Sequence, residues 1–147
     1  MSMDINERLH RLLSALCLKD IKPMSLHVDR VGDMPNHEAE LKLEWNQGFA
    51  DGDPVQVGED MLIFRPQFII KVSCSEEPIF EHVSKIIVAF QILDAAVYSE
   101  LWADQEVRKV FMENQIRKIM WPFVREYVHD GMSRLALNPV LLPWILP

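Results

Sequence analysis

Apolar and polar residues follow two rhythms along this chain, and the change between them near Ala95 divides it. Before Ala95 the dominant period is two. Leu26, Val28 and Arg30 alternate with His27, Asp29 and Val31, which predicts a strand within residues 16–31. Pro23 cannot donate to a ladder, so that strand belongs at an edge or on a bulge. Gly32-Asp33-Met34-Pro35-Asn36 reads as a turn. Ala39, Leu41, Leu43 and Trp45 then alternate with Glu38, Glu40, Lys42 and Glu44, the pattern of a strand with one wet face. Residues 46–60, rich in Gly and Asp, read as a long connection with brief pairing around Val55 and Val57. Over residues 61–75, Leu62, Phe64, Phe68, Ile70, Val72 and Cys74 share one face of a third strand. After a turn at Ser75-Glu76-Glu77-Pro78, a fourth strand is expected from Val83 to Leu93. Ile86, Val88, Phe90 and Ile92 face one way and Ile87, Ala89 and Leu93 the other. Both faces are apolar, which predicts cover on both sides.

The helical rhythm occurs twice. Asp4 with Glu7 three residues later has the form of a capping box, and Ile5, Leu9, Leu12, Leu13 and Leu16 recur at helical spacing. A short amphipathic helix over residues 5–15 follows. Beyond Ala95, Val107, Val110, Phe111, Ile116, Ile119, Met120, Phe123, Val124, Tyr127 and Val128 form one long stripe. Pro122 interrupts it, so a kink or a fresh helix start is expected between Met120 and Phe123. Strands followed by a long helix predict an α+β fold, a four-stranded antiparallel sheet with the helix on one face, within a single domain over residues 1–147.

The net charge of −7 disfavours nucleic acid and anionic membrane surfaces as partners. Residues 31–60 concentrate that charge, with eight acids against one base. The N-terminus lacks the apolar stretch of a secretory signal, and no run of about 20 apolar residues is present to insert in a membrane. Cys17 and Cys74 have no metal spacing and are expected to be free thiols in a reducing cytoplasm.

No catalytic or phosphate-binding signature occurs, so neither an enzyme nor a cofactor is expected. No two of the five histidines are three or four residues apart; a metal site would require His37 and Glu38 with a distant partner, and the expectation is no metal. Glu76, Glu77 and Glu81 beside Pro78 read as solvated charges. The excess is in large apolar side chains: four tryptophans, seven phenylalanines and eight methionines. Phe64, Phe68 and Phe90 belong to core faces. Trp45, Phe49, Trp121 and Trp144 lie near turns, the proline and the terminus, where a binding surface is as natural as a core. They are expected to line a groove bordered by the acidic run, with at least two of them exposed.

The segment Trp121-Pro122-Phe123-Val124-Arg125-Glu126 matches an aromatic-Pro-aromatic-x-Arg-Glu motif, and Ser133-Arg134 precedes an apolar stretch Pro139-Val140-Leu141-Leu142-Pro143. Leu18-Lys19-Asp20-Ile21 resembles a first strand. With these features the chain resembles the SecB family of export chaperones, as a divergent member. The added N-terminal helix is one departure. The family continues past its final proline into a second helix and an acidic tail, whereas this sequence stops at Pro147. The resemblance implies an ATP-independent holdase that binds unfolded or precursor polypeptides in the cytoplasm for export. A SecB-like adaptor for one partner, such as a toxin–antitoxin system chaperone, is the alternative. Client-binding residues would be Trp45, Phe49, Trp121, Phe123 and Trp144. The translocase motor or an antitoxin would be a further partner. A homodimer or homotetramer is expected, with Ile87, Phe111, Ile119 and Tyr127 at its interface.

Overall fold

The computed structural model describes residues 4–34 and 41–137. Helix α1 (Ile5–Ser14) starts where the capping box places it, with the Glu7 amide donating to the Asp4 carboxylate at 2.8 Å. Six strand segments follow: β1 (Leu16–Arg30), β2 (Leu41–Phe49), β3 (Val55–Val57), β4 (Met61–Phe64), β5 (Pro66–Cys74) and β6 (Glu77–Ile92). Then come α2 (Ala95–Trp102) and α3 (Gln105–Val110), which passes through a π-helical turn (Phe111–Gln115) into α4 (Ile116–Arg134).

The six segments lie in four ribbons. β1 runs along one side of β6. On the other side of β6, β5 and β4 pair end to end, separated only at Arg65. Outside them lie β2, paired with β5, and β3, paired with β4. All pairs are antiparallel, so the expected four-stranded sheet is present with its third strand broken at one residue. The break has a visible cause. The Asp53 carboxylate, fully buried, accepts from the Arg65 Nε at 2.8 Å, and the Arg65 guanidinium donates to the Asp51 carbonyl at 3.0 Å. Arg65 is thereby pulled out of the ladder and clamps the bend between β2 and β3.

Three boundaries differ from expectation. β2 continues to Phe49 because Gln47 and Phe49 keep facing inward, opposite Phe68 and Pro66. β6 starts at Glu77, six residues early, because Ser75 and Glu76 both take positive φ and close a two-residue hairpin. The long helix does not restart at Trp121: α4 runs unbroken through Pro122. Pro122 and Lys118 are both exposed, so the carbonyl that loses its donor lies on the wet side. β1 has the expected edge position, with a bulge between Pro23 and Ser25.

Transverse rows of paired residues face the helices. One is Trp45–Ile70–His82–Val28 and the next Gln47–Phe68–Ser84–Leu26. The helix stripe Val107, Phe111, Ile116, Met120, Val124, Val128 and Met132 is fully buried. Arg8 of α1 pairs with Asp104 and, at 3.2 Å, with Glu106, anchoring α1 to the start of α3. Asp104 also caps α3, and Arg8 holds its carboxyl below the usual carboxylate range.

Candidate functional site

β2 is the outermost ribbon of the sheet, and among the described residues no strand pairs with its other edge. Every second residue of this nine-residue strand therefore points its backbone N–H and C=O at that edge, with no partner strand among the described residues. The π-helical turn overhangs this edge. Between the two lies a cavity of about 420 Å³ lined by Trp45, Asn46, Gln47, Phe49, Glu113, Asn114 and Arg117.

Each wall has a structural reason. Trp45 and Phe49 point inward on β2 and are half-buried. Trp45 leans on Trp121, with ring centroids 6.2 Å apart, and Phe49 meets Phe64 edge-on at 6.5 Å. The Arg117 guanidinium sits over the Trp45 ring at 5.4 Å and reaches Asn114 at 3.4 Å. That places a cation on the aromatic face, an attractive arrangement. The Gln47 side chain crosses to the helix and donates to the Met112 carbonyl at 3.2 Å. The lining thus combines two aromatic walls with the carboxamides of Gln47 and Asn114, one carboxylate and one guanidinium, and the strand itself at Asn46. Such a set can grip an extended peptide: the carboxamides match peptide N–H and C=O groups, and the rings accept an apolar side chain.

The expected site residues divide. Trp45 and Phe49 share the cavity. Trp121 does not line it; it is buried behind Trp45 at 2% exposure, a correction to its expected place on an open groove. Its ring, 6.2 Å from that of Trp45, faces the sheet. The expectation of two exposed aromatics is not met, since Trp45 and Phe49 are half-buried and Trp144 lies outside the described residues. Phe123, 37% exposed, is on the outer side of α4, away from the cavity lining. Phe111, expected at a subunit interface, is instead fully buried among Phe64, Phe90 and Trp102. It faces the sheet of its own chain and cannot meet a neighbour. Ile87, Ile119 and Tyr127 are half-buried. Ile119, Phe123 and Tyr127 follow one another at intervals of four and make a second stripe on α4.

Gln47, Glu113, Asn114 and Arg117 were not among the residues expected at a site. Their signal was weak: polar residues at a strand end and on a helix face look solvated until the fold sets them opposite each other. Among the described residues no cluster of His, Cys, Asp or Glu could hold a metal, and no helix is long and apolar enough to cross a membrane. His37 and Glu38 lie outside the described residues. Cys17 and Cys74 are free and half-buried.

No family model and no curated protein matches this chain. Among solved structures, the chain is similar to the Mycobacterium tuberculosis Rv1957 SecB-like chaperone, solved in complex with a ChAD peptide from the Rv1956 HigA1 antitoxin. The match has a TM-score of 0.73 at 20% identity and covers 98% of this chain and 100% of that one. A protein of unknown function from Streptococcus agalactiae aligns at TM-score 0.37 and 10% identity, over 87% of this chain and 96% of that one. That second likeness is too distant to carry an argument. The first likeness shows that this chain has a SecB-like fold, as the resemblance at residues 121–126 implies.

Proposed function

We propose that this protein is a peptide-binding chaperone that holds an extended segment of a partner polypeptide against the free edge of β2. The carrying observation is the cavity beside that edge. A strand added to β2 gains backbone hydrogen bonds along its length, and its inward side chains enter the space between Trp45, Phe49 and the π-helical turn. The polar share of the lining favours the adaptor reading, in which one partner segment is preferred. A surface for indiscriminate apolar capture would need little beyond area. The antitoxin peptide carried by the similar SecB-like chaperone supports a polypeptide partner. No nucleotide or metal takes part in this reading, which is not that of an enzyme.

A general holdase is the second reading. It draws on Leu18, Met24 and Leu26, exposed along the opposite edge strand β1. In either case we read the stripe Ile119, Phe123 and Tyr127 on α4, together with Ile87 on the open face of β6, as the contact between copies of the chain. Sedimentation at micromolar concentration should show a dimer or tetramer, and a monomer would remove that contact.

The binding test uses overlapping extended peptides from candidate partners, followed by fluorescence anisotropy. Asn114→Arg places a bulky side chain at the cavity mouth from an exposed position, and Trp45→Ala removes one wall. Each should weaken peptide binding by about tenfold or more, a loss of at least about 1.4 kcal/mol. If both variants fold and bind as the parent does, the cavity is not the site. Suppression of aggregation of many unrelated denatured proteins would favour the holdase reading; protection of one partner would favour the adaptor.

A further inference from the structure

The fully buried positions of the long helix follow one another at intervals of four, with one exception. Val107 and Phe111 are four apart, as are Ile116, Met120, Val124, Val128 and Met132; from Phe111 to Ile116 the interval is five. There the backbone is π-helical, and the Ile116 N–H donates to the Phe111 carbonyl. A π turn takes up one extra residue while the positions on either side stay on the same face. In an α-helix the Ile116 N–H would serve Met112. The Met112 carbonyl loses that donor, and it is this carbonyl that receives the Gln47 side-chain amide.

The extra residue does nothing for the core, because removing it would leave the whole stripe at intervals of four. What it changes is the outer side. Glu113 and Asn114 are exposed and line the cavity over β2. We propose that the π-helical turn is a one-residue insertion dedicated to the peptide cavity, with Gln47 as the positioning residue that holds it over the edge of β2. The inference rests on the peptide-binding reading above and specifies which part of the molecule shapes that site. The partner is an extended peptide segment, with its backbone along β2 and its polar groups against Asn114 and Glu113.

The experiment is a deletion of Glu113, compared with the parent by thermal melting, helical circular dichroism, sedimentation and binding of a fluorescent extended peptide of alternating apolar and basic residues. The deletion should convert the turn to α-helix, with melting temperature at or above the parent's and assembly unchanged. Its peptide affinity should fall by about tenfold or more. Gln47→Leu, made in both backgrounds, gives an independent readout. It should lower the melting temperature of the parent, where the Met112 carbonyl needs its donor, and leave the deletion unaffected, where Met112 regains a helical partner. A deletion that unfolds, or that binds peptide as the parent does, overturns the role given to the turn, as does an equal effect of Gln47→Leu in both backgrounds. A parent that binds no such peptide overturns the peptide-binding reading itself, and this inference with it.

Discussion

The two ends of the buried sheet face are built differently. At one end Phe64, Phe90, Phe111 and Trp102 form a cluster of edge-on and tilted rings with centroids 5.4–5.9 Å apart. Tyr98 stacks on Trp102 at 5.7 Å and extends the cluster. At the other end the sheet turns His82 and Ser84 towards the helices; both are buried, and neither the His82 Nδ1 nor the Ser84 Oγ has a partner among the described residues. Helix α4 passes close over this end at Gly131, where a Cβ would lie 3.2 Å from both Val28 methyls and 3.3 Å from the His82 ring. One end therefore draws its stability from ring packing. The other tolerates a desolvated imidazole and depends on a missing side chain.

The largest expected effect is at the aromatic end. Phe111→Ala removes a fully buried ring that packs against Phe64, Phe90 and Trp102, and should cost about 3–5 kcal/mol in denaturant unfolding. A loss below about 1 kcal/mol would mean that the cluster repacks and the two ends are alike.

Acid should act at the other end. Burial pushes the His82 imidazole down to about 4 from its ordinary 6.5. Above pH 6.5 the ring is neutral both folded and unfolded, and stability does not depend on it. As pH falls from 6.5 towards 4 the unfolded chain takes up the proton and the folded chain resists, so stability declines. The loss reaches about 3 kcal/mol by pH 4 and levels off just below it. His82→Leu should flatten the stability profile over that window, and a variant with the parent's profile would assign the acid sensitivity to other groups.

Gly131→Ala should have the smallest effect. Alanine favours a helix interior by about 1 kcal/mol over glycine, whereas overlap in a packed interface costs about 1–3 kcal/mol. A net loss of about 1 kcal/mol is expected, and Val28→Ala in the same chain should relieve part of it. A Gly131→Ala protein more stable than its parent would show that α4 has slack over His82.

Much of the architecture is legible in the sequence. The Asp4 cap, the edge position of Pro23, the short pairing at Val55 and Val57 and the inward set Leu62, Phe64, Phe68, Ile70 and Val72 all appear where the pattern put them. The candidate site was legible in part. Trp45 and Phe49 were marked, but Trp121 and Phe111 could not be sorted from them, because an apolar residue on a helix reads the same whether it meets its own sheet or another chain. The interval of five between Phe111 and Ile116 was also present in the sequence. Merged into one broad stripe with Val110, Ile119 and Tyr127, it gave no sign of a π turn.

Local periods, caps and breakers follow from the amino-acid order, because side-chain alternation and helical spacing depend on neighbours a few residues away. Tertiary structure alone decided what depends on long-range pairing. β1 crosses to the far side of β6, and among the described residues no strand covers the outer edge of β2. Arg65 finds Asp53 and splits a strand that its own residues would have continued. Gln47 meets a carbonyl 65 positions away. His82 becomes a buried base only because Val28, Ile70 and α4 close around it. Burial and hydrogen-bond partnership are properties of residues brought together from distant parts of the chain, and no local window of sequence contains them.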